Sequence, residues 1–349
     1  MDYIKYCFFC LLGVVACRQD SRDKTPDISQ IPSDMHLYRF EKDVFAIDTL
    51  HIEESVNSLL TRYPTLMRIF CQDIMKFTNR ADSTDPKFYS TLKAFVRDPL
   101  LQSIVHRTDT IYGQMDDLRE QFNRTSSYAR YYFPKSRKQN MYTMVSAFNI
   151  GNIIFEDSDS TDGLGISMDY YMGSGFDYKR INPTWELFSD YVTRTFNKEH
   201  ILKKSWMPWI EDIVPGNKLN TLLDHLIYEG KKIYITSKII PDIQDTVLFE
   251  FRPDQLTWCQ DNKLNIWSFL KDQNLVNSTK RNEIVRYLNP SPSSPGMPKE
   301  SPGRAAVFVG YDIVREYMKR NPKLTLQDLA REDNAQKILD EAKYKPENK

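Results

Sequence analysis

Between residues 52 and 77 the apolar side chains Val56, Leu59, Leu60, Tyr63, Leu66, Met67, Ile69, Phe70, Ile74, Met75 and Phe77 recur three and four residues apart. Only a helix gathers that spacing onto one face, and Pro64 divides the run into two consecutive helices. The same period predicts helices over 87–98, 108–128, 183–196, 217–239, 253–271, 281–288, 303–319 and 326–343. Strand signals are few. Residues 36–40 alternate in polarity ahead of a short turn, and 141–150 and 163–173 are rich in β-formers. The acidic stretch between those two, within 152–162, reads as a solvated hairpin loop, because the spacing of an EF-hand calcium loop is absent. Seven Pro and Gly residues between Pro290 and Gly303 exclude regular structure there. A few early strands and helices elsewhere predict one mostly helical α+β domain with a small sheet.

The 349 residues carry 47 Lys and Arg against 47 Asp and Glu. With no net charge, no global field draws the chain to nucleic acid or to an anionic surface. With 41% hydrophobic and 13% aromatic residues it is too apolar to remain disordered. Cys7, Cys10 and Cys17 crowd the N-terminus, so the five cysteines form no disulfide scaffold. Cys71 and Cys259 fall within helical apolar patterns and read as buried thiols, with a disulfide between them as the alternative.

The uncharged apolar run from Tyr6 to Ala16 has the length of a signal-peptide core, well short of the roughly 20 residues that span a bilayer. It ends in Val14-Val15-Ala16-Cys17, which resembles a bacterial lipobox. Small side chains before the cysteine admit the peptidase, and the Cys17 thiol accepts a diacylglycerol whose buried methylenes contribute about 0.8 kcal/mol each to anchoring. The expected organisation is therefore a lipoprotein signal peptide over 1–16, a flexible tether over 17–29 and a folded domain over 30–349. The expected membrane contact is through acyl chains, palmitate among them, on Cys17. Arg18 follows that cysteine, and Arg22 and Lys24 interrupt the acidic tether. This pattern predicts a periplasm-facing lipoprotein at the outer membrane.

Signals of chemistry are sparse. His225 and Glu229 stand four apart on one helical face, the spacing of a shared proton or of two metal ligands. Two ligands fall short of the three that catalytic zinc requires, so a hydrogen-bonded pair is the simpler reading. No H-E-x-x-H, G-x-S-x-G or P-loop occurs. Arg304 lies in the first turn of a helix, against the dipole, and so calls for a carboxylate partner, with Glu229 and Glu300 as candidates and capture of a phosphate or a peptide carboxylate as the alternative.

Several segments, taken in order, resemble the gliding motility lipoprotein GldB family of the Bacteroidetes. They are Cys17, Leu37 to Phe45, Met168-Asp169-Tyr170-Tyr171-Met172-Gly173, Ile227-Tyr228-Glu229-Gly230-Lys231, the helix start Gln255 to Cys259, Glu300-Ser301-Pro302-Gly303-Arg304, and Tyr344-Lys345-Pro346. That family is distantly similar to predicted zinc proteases of the zincin type. The resemblance implies a zincin-like domain in which Asp224-His225-Leu226-Ile227-Tyr228 stands where the metal motif would be, with both metal-binding histidines replaced. It further implies a non-catalytic envelope lipoprotein without metal or cofactor, supporting gliding or type IX secretion by binding other envelope proteins. The alternative is a metal-dependent hydrolase with a degenerate zincin site built from Asp224, His225, Tyr228, Glu229 and Arg304.

Overall fold

The computed structural model describes residues 25–33, 35–78 and 86–348. Cys17, the expected signal peptide and most of the expected tether lie outside them. Chain order is β1 (Leu37–Arg39), α1 (Phe40–Phe45), α2 (Ile52–Arg62), α3 (Pro64–Ile69) running into a π-helical turn, α4 (Pro86–Arg97), α5 (Pro99–Tyr112) and α6 (Asp116–Tyr132). Then come β2 (Lys138–Met144), β3 (Ile153–Ser158), β4 (Thr161–Ser167), the single turn α7 (Asp190–Thr193) and the long α8 (Lys198–Ile213). The C-terminal half holds α9 (Leu222–Ile239), α10 (Asp245–Phe249), α11 (Pro253–Asp261), α12 (Lys263–Asp272), α13 (Arg281–Leu288), α14 (Ala305–Arg320), α15 (Leu326–Arg331) and α16 (Ala335–Ala342). This is the expected α+β class, with helices outnumbering a four-stranded sheet.

The sheet order is β1-β2-β4-β3, parallel except for the β3-β4 hairpin at one edge. Met141, Tyr142, Thr143 and Met144 of β2 are buried, as befits a central strand covered on both faces. The acidic 152–162 segment is thus a correction: most of it is strand β3 rather than loop. Ile153, Ile154 and Phe155 pair with β4 and leave Glu156, Asp157 and Asp159 toward the turn. Residues 41–47 also differ from the expected turn, since α1 begins directly after β1. Within 108–128 the expected helix is two. Gly113 (φ +54°) and Met115 (φ +61°) take left-handed backbone and end α5 before α6 starts. Residues 183–196 form one 3-10 turn and one short helix instead of a full helix, and α8, absent from the sequence expectation, follows.

The segment Met168 to Gly173 explains itself through contacts. The buried Asp169 carboxylate accepts the backbone N–H of Phe148 at 2.5 Å, the Ser146 hydroxyl at 3.2 Å and the Ser146 N–H at 3.4 Å. It thereby fixes a turn in which Ala147 and Phe148 both have positive φ. Tyr170 donates its hydroxyl to the Phe148 carbonyl at 2.6 Å, and Tyr112 donates to the Tyr171 carbonyl at 2.8 Å, tying the turn to α5. Burial raises the Asp169 carboxyl to about 6 against the hydrogen bonds that stabilise its ionised form.

Buried apolar side chains from Met35 to Ala342 form one cluster, which includes Cys71 and Cys259 as free thiols. Among the described residues no helix is long and apolar enough to cross a membrane. Backbone meets backbone where α9 and α14 cross at Gly230 and Gly310. A Cβ on Gly230 would lie 2.4 Å from the Gly310 carbonyl oxygen, and one on Gly310 would lie 2.1 Å from the Leu226 carbonyl oxygen. Backbone cannot yield as a side chain does, so Gly230→Ala and Gly310→Ala should each cost about 1 to 3 kcal/mol or more. Gly151, whose added Cβ meets nothing within 4 Å, is the matched control. Urea unfolding that placed Gly230→Ala and Gly151→Ala at the same midpoint would refute this reading of the crossing.

Candidate functional site

The crossing of α9 and α14 delivers two side chains to one place. α9 is started by a capping box in which Thr221 Oγ1 accepts from the Asp224 N–H at 3.2 Å while the Asp224 carboxylate accepts from the Thr221 N–H at 2.8 Å. Two turns on, Glu229 meets Arg304, which is itself in left-handed backbone (φ +68°) just before α14. Arg304 Nη2 is 3.4 Å from Glu229 Oε2, so of the two candidate partners it is Glu229 that lies beside it.

From this pair a chain of charges runs in both directions. Lys232 Nζ bridges Glu229 at 2.7 Å and Glu211 of α8 at 3.0 Å. On the other side Arg304 Nη1 is 3.8 Å from Glu250, the left-handed residue that ends α10. Glu250 Oε1 accepts from Lys203 at 2.8 Å and faces Lys204 at 3.9 Å, both on α8. Arg194 donates to the Glu250 carbonyl. Lys203 keeps 5% of its side chain exposed and Lys232 8%, so these are interior charges.

Burial sets the protonation here. It pushes the Lys203 ammonium down to about 8 although Glu250 opposes the fall, and it lowers Lys204 as well. Burial would raise the Glu250 carboxyl, yet Lys203, Lys204 and Arg304 together hold it well below the usual carboxylate range. For Lys232 burial is outweighed by Glu229 and Glu211, and its ammonium is raised. His200 beside the cluster is pushed by burial down to about 4 and stays neutral at pH 7.

The five residues of the degenerate zincin alternative separate into different jobs. Glu229 and Arg304 share an ion pair, Asp224 caps α9, and the Tyr228 ring lies under the Lys232 ammonium at 4.6 Å. His225 is half-buried, and burial lowers its pKa against the pull of Asp224 and Glu229. Among the described residues no group of three or more His, Cys, Asp and Glu is placed to hold a metal ion. Glu250, Lys203, Lys204, Lys232 and Glu211 were not identified from sequence. Their one sequence signal is the pair Lys203-Lys204 set between Ile201-Leu202 and Trp206, where a helical face places a lysine among core side chains.

Removing the Glu250 charge strands the cations around it, so Glu250→Gln should destabilise the fold by about 3 to 5 kcal/mol in urea titrations. A loss under 1 kcal/mol would show that the carboxylate does not hold the cluster. A pH effect has a definite sign. Between about 8 and its ordinary 10.5, Lys203 is protonated in the unfolded chain but not in the folded one. Its contribution to stability therefore rises with pH across that window, and Lys203→Met should flatten the rise.

Comparison with curated proteins gave no match. Nor does any solved structure match, so the comparisons give no support to the zincin-like expectation. The family of the gliding motility protein GldB matches residues 21–346. That span contains every element described above, the α9–α14 crossing and the charge chain included. The chain belongs to the gliding motility protein GldB family.

Proposed function

We propose that this gliding-motility protein is a lipid-anchored component of the cell envelope that acts by binding other envelope proteins, and that it is not an enzyme. The observation that carries the reading is the commitment of the candidate side chains. Glu229 is held between Lys232 and Arg304, and Asp224 is consumed by the α9 cap, so neither offers a free carboxylate to a metal or to water. Chemistry needs a group whose charge or proton is available to the substrate. A framework needs its charges mutually satisfied, and that is the condition of Glu229 and Asp224.

Attachment through Cys17 supports a periplasm-facing position, and the outer membrane is the leaflet that fits Arg18 after the cysteine. The partners in this reading belong to the gliding machinery or to the type IX secretion associated with it. Labelled palmitate should enter the wild-type protein and not Cys17→Ala, which should leave the membrane fraction. Protease added to intact cells should spare the domain. Cross-linking followed by pull-down from detergent-solubilised membranes should recover a stable partner, and recovery of the protein alone under every condition would sink the binding role. Stoichiometric zinc in the purified full chain, together with a hydrolase activity lost in His225→Ala, would instead establish the metal-dependent alternative.

A further inference from the structure

The charge chain is unevenly satisfied. Glu229, Lys232, Glu211 and Lys203 make ion pairs between 2.7 and 3.0 Å. Arg304 and Lys204 do not. A guanidinium carries five N–H donors and an ammonium three. Among the described residues the Arg304 side chain makes one hydrogen bond, the 3.4 Å contact with Glu229, and its buried Nε has no partner. Arg304 Nη1 and Lys204 Nζ stand 3.8 and 3.9 Å from Glu250, beyond hydrogen-bond reach. Buried donors in a folded protein are as a rule paired, and those of charged groups cost most when they are not.

The local charge has the same imbalance. Lys203, Lys204, Arg194, Arg304 and Lys232 face Glu250, Glu229 and Glu211, and the nearby Arg252 and Asp254 cancel each other at 2.8 Å. The neutral His200 adds nothing to the positive side. The positive end of the 16-residue α14 starts at Arg304 and reinforces the excess. Solvent reaches these two: Arg304 and Lys204 keep 20% and 22% of their side chains exposed, against 5% for Lys203.

We propose that Arg304 and Lys204 form a receptor for a small oxyanion, a carboxylate or a phosphate group, which satisfies their donors and balances the cations around Glu250. The planar Arg304 fork matches two oxygens of such a group, and Lys204 supplies a point charge beside it. Lys203 and Lys204 are shifted down by burial, with Arg304 adding repulsion, so an arriving anion restores their affinity for protons and binding near pH 8 takes up protons.

The inference does not rest on the proposed function, because it is read on the isolated full chain. Inorganic phosphate and N-acetylglycine are titrated separately into the protein in phosphate-free detergent at pH 8, with sodium chloride holding the ionic strength, in an isothermal calorimeter. Two buffers of different ionisation enthalpy report the protons. At least one anion should give saturable heat with net proton uptake, and the one that does identifies the source chemistry. Lys204→Gln and Arg304→Lys should each weaken it at least about tenfold, the cost of roughly one charge-assisted hydrogen bond. Lys204→Gln changes a residue with an exposed edge and no short ion pair, so it decides the matter even where Arg304→Lys fails to fold. No saturable binding of either anion, or unchanged affinity in Lys204→Gln, overturns the proposal.

Discussion

The contact on which the rest of the structure depends is the one where α9 and α14 cross with only hydrogen atoms between their backbones. Gly230 and Gly310 permit an approach that any larger pair would prevent. The crossing has an electrostatic consequence, since Glu229 precedes Gly230 and Lys231 and Lys232 follow it. Glu229 meets Arg304 at the start of α14, and Lys232 reaches back to α8. Lys231 is buried and donates to the carbonyls of Ala330 at 3.2 Å and Glu332 at 2.9 Å, closing the end of α15. One turn of α9 thus joins α8, α14 and α15. Asp312, further along α14, does the same for the C-terminus, accepting from Lys263 at 3.2 Å and from the Tyr344 hydroxyl at 3.0 Å.

Interior ion pairs are a poor source of net stability, because desolvating both charges offsets much of their attraction. Their effect is to penalise every arrangement in which one partner is missing. Glu250 illustrates this. It ends a five-residue helix in left-handed backbone, a conformation with a cost for any side chain but glycine, and it is kept there by Lys203 and by Arg194 on its carbonyl. The buried Asp169 acts in the same manner at the sheet, where it stabilises two consecutive positive-φ residues through their neighbouring N–H groups. Both carboxylates specify a backbone path more than they add to stability.

Most of the helical framework was legible because burial imposes a period. The start and end of α13 at Arg281 and Leu288 follow from it, as does the break at Pro64. What failed did so for local reasons. α8 carries Pro208 in its interior, a residue that reads as a helix breaker, and its flanking Trp206 and Trp209 are fully buried, so tertiary packing overrides the signal. The 152–162 segment reads as a loop because its acidic residues conceal the Ile153-Ile154-Phe155 run that pairs with β4. At the site, the need of Arg304 for a carboxylate was legible from the helix dipole alone. Glu250 was not, since its approach to α8 is a tertiary event between residues 46 and 47 positions apart, and no spacing in the sequence encodes it.

A formal charge of zero, from 47 basic and 47 acidic residues, describes the far field and not the near one. Five cations and three carboxylates meet around Glu229 and Glu250, so the surplus of acid must lie elsewhere. Solvated carboxylates contribute to it, among them Glu120 on the outer side of α6 and Asp159 at the end of the β3-β4 hairpin. Water and salt screen exposed charges within about 10 Å, whereas partly buried ones are screened far less. The acidic half of the balance is therefore muted, and the basic half concentrated beside α14 keeps its field.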